Sequence, residues 1–235
     1  MKMRIDKFIS QAGFGSRKDA KAILKSGAVA INGEIITRPE HKIDEGAIVY
    51  VGNEKIEQTT EIYIMLNKPA GVISASFDEE LPTVIDILPE SYHWHGLFSV
   101  SALQENTTGL LILTNDNIFA HRANSPKKSV SKVYHVYTSA KIEQKEILSF
   151  ERGLLLPNGK KLAPAKLEPT DFGCRLTISG GFCNIERMFA AASIDISGVC
   201  SVSFAGIGLD PELAPGGFRH LNEEEMGKIS NLTNG

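Results

Sequence analysis

The hydrophobic pattern of this 235-residue chain changes period once, close to Ile62. That change constrains the fold strongly, because a helical stripe repeats about every 3.6 residues and a strand every 2, so one segment cannot serve as both. Before it, Ile5, Phe8, Ile9 and Ala12 fall at i, i+3, i+4 and i+7, which predicts a helix stopped by "GFGS". Ser16 is placed to cap a second helix, in which Ala20, Ile23 and Leu24 face inward while Arg17, Lys18, Lys21 and Lys25 face out. Short strands follow at "AVAI", "EIIT" and "AIVYV", with a hairpin turn at Asn32–Gly33. The expectation is a two-helix, short-sheet unit over residues 1–57, a linker at 58–61 within the polar stretch "NEKIEQTTE", and a second domain over 62–235.

From Ile62 the reading is of strands at "IYIMLNKP", "GLLILTND", "KVYHVYTS", "CRLTISGG" and "ISGVCSVSFAGIGL". Helices are expected between them at "IDIL", "NIFAHRAN", "IEQKEILSFERG" and "IERMFAAA", with "EEEMGKI" as a short closing helix. This mixture predicts an α+β domain: one central, mixed but mainly antiparallel sheet with helices on one side.

A net charge of −3 argues against a nucleic-acid partner only until it is divided along the chain. Residues 1–30 hold Lys2, Arg4, Lys7, Arg17, Lys18, Lys21 and Lys25 against Asp6 and Asp19, a local net of +5. Lysine and arginine contacts to phosphate supply most sequence-independent nucleic-acid affinity, so Arg4, Lys7, Arg17, Lys18, Lys21 and Lys25 are RNA-contact candidates. The alternative is an ordinary solvated helix face. With 42% hydrophobic residues the chain can bury a core plus a small satellite domain. Its apolar runs, such as "GLLIL", fall far short of the roughly 20 residues of a spanning helix, and no signal-peptide pattern opens it, so a cytoplasmic location is expected. Cys174, Cys183 and Cys200 are an odd number without CxxC spacing and read as small buried hydrophobes, not as disulfides or a zinc site. "HWHG", with histidines at i and i+2 and no supporting ligand cluster, reads as a loop, so no metal is expected.

Longer phrases carry a family resemblance. "RIDKFISQAGFGSRKDAKAILKSGAVAINGEII" resembles the alpha-L RNA-binding motif of ribosomal proteins and RNA-modifying enzymes. "IYIMLNKPAGVISA", "LPTVIDILPE", "TTGLLILTND", "AHRANSPKKSVSKVYHV", "ERMFAA" and "GLDPELAPGGFRHLNEEE" resemble, in order, the RsuA-type ribosomal RNA pseudouridine synthases. That resemblance implies a pseudouridine synthase fold and no metal or cofactor. It also implies an aspartate that attacks the nucleotide, an aromatic ring against the flipped base, and a basic residue paired with the aspartate. Each part has a chemical reason. Glycosidic cleavage asks for a carboxylate near the sugar, an extruded base needs a stacking surface, and a buried carboxylate needs a cation.

The chain departs from the family at those parts. The family phrase Gly-Arg-Leu-Asp is here Ser101-Ala102-Leu103-Gln104, which puts Gln104 at the nucleophile position and Ala102 at the neighbouring arginine. In "SGGFCNIERMF", Ser179, Gly181, Cys183, Asn184 and Glu186 differ from the family pattern, and Glu186 stands at the basic-partner position. Cys200 and Ser201 replace the family's histidine and basic residue. The apolar framework, including Leu103, Leu110, Leu111, Ile112, Ile185, Met188, Phe189, Val202 and Phe204, suits its places. Tyr134, in "SKVYHV", matches the base-stacking position, and Lys127, Lys128 and Lys132 are further phosphate-contact candidates. A glutamine has no charge and cannot act as a base near neutral pH. The expectation is therefore a monomeric protein that lacks synthase activity and keeps weak or moderate binding to ribosomal RNA or a pre-ribosomal particle. The alternatives are an active synthase with a non-standard site and a non-enzymatic ribosome-assembly factor.

Overall fold

A computed structural model of the protein describes residues 3–44, 46–56, 61–93, 95–125, 128–156, 159, 161–180 and 184–234. The N-terminal part contains β1 (Met3–Arg4), α1 (Ile5–Gln11), α2 (Arg17–Lys25), β2 (Val29–Ile31), β3 (Glu34–Ile35), β4 (Lys42–Ile43), β5 (Val49–Val51) and β6 (Glu54–Ile56). Ser16 caps α2 in a reciprocal box: its hydroxyl accepts from the Asp19 N–H and the Asp19 carboxylate accepts from the Ser16 N–H. Asn32 and Gly33 both take positive φ, 50° and 89°, as the predicted tight hairpin between β2 and β3 requires. Ile5, Phe8, Ile9, Ala20, Leu24, Val29, Ile31, Val49 and Ile56 form this part's own apolar cluster. The polar stretch "NEKIEQTTE" begins as strand β6, paired with β5, inside the unit over residues 1–57. Its Lys55 and Glu54 point outward while Ile56 closes the cluster, so one buried residue in three carried the strand. Positions 57–60 lie outside the described residues.

The second part contains β7 (Tyr63–Lys68), β8 (Phe98–Ser99), β9 (Thr108–Thr114), α3 (Asn117–Ala123), β10 (Ser131–Thr138), α4 (Gln144–Arg152), β11 (Lys166–Thr170), β12 (Gly173–Ser179), α5 (Ile185–Ala191), β13 (Ile196–Phe204), β14 (Ile207–Gly208), β15 (Phe218–His220) and α6 (Glu223–Asn234). The strands form one nine-stranded sheet in the order β11-β12-β10-β13-β9-β7-β15, with β14 on β13 and β8 on β9. Its pairs are antiparallel except β13 with β9. There Gly109 is required: its φ is +95°, and a Cβ would lie 2.2 Å from the Ser201 carbonyl oxygen.

Two corrections concern the helices. Helices cover both faces of the sheet, not one. Phe150 of α4 and Met188 and Phe189 of α5 pack with Ile64, Leu66, Leu111 and Val136 on one face. Phe119 of α3 and Ile229 of α6 pack with Tyr63, Met65, Leu110 and Ile112 on the other. The continuous apolar runs of β7 and β9 mark strands buried on both sides. "IDIL" forms turns, not a helix. The Asp86 carboxylate accepts from the Thr83 N–H and hydroxyl, both at 2.8 Å, which closes a turn over Val84, Ile85 and Leu88 in the core. The closing helix α6, in contrast, runs for 12 residues and is longer than expected.

Cys174 is fully buried and its thiol is pushed up to about 12 by that burial, whereas Cys200 is only half-buried, and Cys183 lies outside the described residues. His93 bonds the Leu88 carbonyl at 3.0 Å through Nε2. No helix of the described residues is long and apolar enough to cross a membrane.

Candidate functional site

The segment after β8 is held from two sides. The Ser74 hydroxyl donates to the Leu103 carbonyl at 2.9 Å and accepts from the Leu103 N–H at 3.0 Å. The next four residues close a turn, with the Thr107 N–H donating to the Gln104 carbonyl at 3.1 Å. Beneath that turn lies Lys68, at 0% exposure, whose Nζ donates to the carbonyls of Pro69 (3.0 Å), Glu105 (2.8 Å) and Thr107 (2.9 Å). Three carbonyl acceptors satisfy the three N–H bonds of an ammonium. Burial pushes Lys68 down to about 8 and Glu105 pulls it the other way, so it remains a cation at neutral pH. Sequence reasoning passed over Lys68. The signal was present: a lysine ending an otherwise apolar strand, immediately before proline, in "IYIMLNKP".

Gln104, Tyr134 and Glu186, far apart in sequence, come together here. Ala102, Leu103, Gln104, Thr107, Tyr134, Ile185 and Glu186 line one cleft. β10 supplies Tyr134, which is 6% exposed and packs with the core below. The first turn of α5 supplies Glu186, and the Asn184 side chain caps that helix by accepting from the Arg187 N–H at 2.8 Å. Glu186 has no ion-pair partner among the described residues. The space between these groups is about 20 Å³, room for a water and far below the roughly 300 Å³ at which small-ligand clefts begin. The cleft opens sideways into about 360 Å³ lined by Gln104, Glu105, Asn106, Glu186 and residues 196–199. Among the described residues, Glu105 and Glu186 are the carboxylates of the two linings together, and neither lining contains a lysine or arginine.

The basic candidates separate into three groups. Lys18, Lys21 and Lys25 stand exposed on α2, and Lys7 is half-buried on α1. Arg4 and Arg17 both bind the fully buried Asp6: Arg4 Nε and Nη2 at 3.1 and 2.9 Å, Arg17 Nη2 at 3.1 Å to each oxygen. Burial alone would push the Asp6 carboxyl up, but the two guanidinium groups outweigh it and the net shift is down. Lys132 does not fit a surface phosphate contact: it is 4% exposed, with Nζ 5.7 Å from the centre of the Phe204 ring. Strand β10 turns Lys132 inward at the register position opposite Phe204, which spacing in "SPKKSVSK" could not reveal. Lys128 is half-buried, and Lys127 lies outside the described residues.

Residues 3–49 match the S4 domain and residues 62–170 match the RNA pseudouridylate synthase domain. The ribosomal small subunit pseudouridine synthase A of Escherichia coli strain K12 is 36% identical over 231 residues, 97% of this chain and all of its own length. The chain belongs to the RsuA-type ribosomal RNA pseudouridine synthase family. An uncharacterized RNA pseudouridine synthase of Bacillus subtilis strain 168 is 38% identical over 95% of this chain and 97% of its own. A crystal structure of a pseudouridylate synthase superposes with a TM-score of 0.68 at 32% identity, covering 97% of this chain and 99% of that one. Membership in the family accounts for the S4 domain ahead of a mixed, mainly antiparallel sheet.

Proposed function

We propose that this chain is a catalytically silent member of its family, which docks on ribosomal RNA as a monomer but does not isomerise uridine. The single observation that carries the reading is that Gln104 and Glu186 line the same cleft as Tyr134. In the family resemblance these are the positions of the nucleophile, its basic partner and the stacking ring. A carboxamide offers no charge to attack the sugar and no basic site near neutral pH. A carboxylate at the partner position repels an anionic substrate instead of steadying a second carboxylate. Glu186 as a substitute nucleophile would come from α5 and not from the turn that carries Gln104, with no ion-pair partner among the described residues to hold it, and the surrounding geometry would have to be rebuilt. The RNA contact falls to the unit over residues 1–57, where Lys18, Lys21 and Lys25 form one exposed helix face. Residues 58–61 link it to the domain over 62–235. Its binding is weak to moderate, because few unpaired cations contribute and the cleft lining adds none.

The test is pseudouridine formation on unmodified small-subunit ribosomal RNA, both naked and in assembling particles, read as carbodiimide adducts that stop reverse transcription. The expected result is no stop above the protein-free control from a folded protein that shifts the RNA in a salt-dependent way. A site-specific stop would show that the chemistry survives without the aspartate and would sink the reading.

A further inference from the structure

On the far side of the segment that carries Gln104, a groove of about 640 Å³ runs between β8 and α3. Val100, which lines it, packs in the cluster under α3, while Leu103 packs in the opposite cluster. The chain therefore crosses from one face of the sheet to the other between these residues. Val100 and Gln104 are four residues apart, so their Cα atoms lie within about 14 Å, and a polymer in the cleft could also reach the groove.

The groove's lining suits a nucleotide. Phe98 offers a half-buried ring and His121 an exposed one, and Asn117, Asn124 and Ser125 offer carboxamide and hydroxyl groups. The Asn124 amide nitrogen donates to the carbonyls of Val100 and Ala120, tying the two walls together and leaving Oδ1 turned from those bonds. No carboxylate lines the groove. The nearest on α3, Asp116, is engaged by the Tyr63 hydroxyl at 2.8 Å and by the N–H groups of Ile118 and Phe119. Beside His121, Arg122 has a buried Nη1 with no hydrogen-bond partner among the described residues. Arg122 does not line the groove itself, and its orphaned nitrogen meets an anion there once the half-buried side chain turns toward the rim.

We propose that this groove is a second RNA subsite, which holds one nucleotide of single-stranded RNA outside the Gln104 cleft. The base lies against Phe98 and His121, the carboxamides of Asn117 and Asn124 meet its edge, and the adjoining phosphate lies at Arg122. Stacking on side-chain rings tolerates any base, so the subsite adds affinity with little sequence preference. The proposal rests on the RNA binding of the family, not on the silence of the cleft.

The full-length chain is titrated into fluorescein-labelled octauridylate between 50 and 200 mM salt, as wild type and as His121→Ala/Arg122→Gln. The double variant should bind about 5- to 30-fold more weakly. The slope of log affinity against log salt should fall by about 0.7, the value of one phosphate contact on a single strand. In parallel, octauridylate carrying 4-thiouridine is photocrosslinked to the wild-type chain, which needs no variant to fold, and should attach within residues 98–100 or 117–125 as well as any site in the cleft. Crosslinks confined to α2, or a well-folded double variant with unchanged affinity and slope, overturn the proposal. Pseudouridine appearing in the RNA would instead remove the silent-cleft reading and leave this one standing.

Discussion

Asp6 in the N-terminal part and Glu186 in the cleft are carboxylates treated in opposite ways. Asp6 is fully buried and answered by two guanidinium groups, whereas Glu186 is half-buried with no ion-pair partner among the described residues. Where a carboxylate holds α1, α2 and β1 together, its cations are present. On the proposed reading Gln104 and Glu186 stand where the family would hold its reacting pair, and the frame that positions them is intact. Lys68 still clasps the turn after Gln104, and the residues under the cleft are still packed. The difference separates two duties of a charged pair. One stabilises a fold and the other serves a reaction, and only the first is needed for this chain to keep its shape.

The largest effect should come from the frame. Lys68→Met leaves three carbonyls without their donor and should lower the unfolding free energy by about 2–4 kcal/mol, read as a lower urea midpoint. The same residue gives a pH signature. Its folded pKa, about 8, lies below the ordinary 10.5, so between those values the unfolded chain binds more protons and this group adds stability as pH rises. Wild type should gain on the Lys68→Met variant across that window, and parallel curves would show that the buried ammonium is held as firmly as in water.

Next in size is Asp6→Asn, expected to cost about 1–3 kcal/mol because the two arginine ends are half solvated. Asp6 has a lowered pKa, so its contribution is complete above the usual carboxylate range and disappears as pH falls through and below 3.8. Wild type and variant should therefore converge in acid melts; a constant gap would mean that packing, not pairing, makes Asp6 valuable. Smaller still, Ser16→Ala removes one side of the α2 capping box and should cost about 1 kcal/mol in thermal melts. It should weaken RNA binding as well, if the lysine face of α2 must be fully helical to dock. The smallest expected effect is on turnover. Gln104→Asp should produce no pseudouridine, because the new carboxyl faces Glu186. Carbon NMR should find it titrating above the usual range in that variant and lower once Glu186→Arg is added. Substantial turnover by the single variant would break the comparison at its centre.

Much of this molecule was legible before any coordinates, and the rest was hidden for definable reasons. Helices α1 and α2 follow from local facts, the spacing of Ile5, Phe8 and Ile9 and the capping box of Ser16 and Asp19. Strands β7, β9, β10, β12 and β13 announce themselves as β-branched and apolar runs. "IDIL" misled because four residues with three apolar members suit a turn over a core as well as a helix, and the Thr83–Asp86 bonds decide between them. Lys132 misled because the lysines of "SPKKSVSK" read as one solvated basic loop, while its strand register turns it toward Phe204.

By itself the sequence determined the two-part organisation and the change from helical to strand period, and the family phrases around Gln104 and Glu186 carried the expectation of a silent site. Only the tertiary structure decided that Gln104, Tyr134 and Glu186 share one cleft, that Lys68 holds its floor, and that Arg4 and Arg17 spend part of their charge on Asp6. The physical reason is range. Period, caps and turns act between residues a few positions apart, whereas a cleft forms where strands and helices distant in the chain pack together, and desolvation then determines which charges face water and which must find a partner.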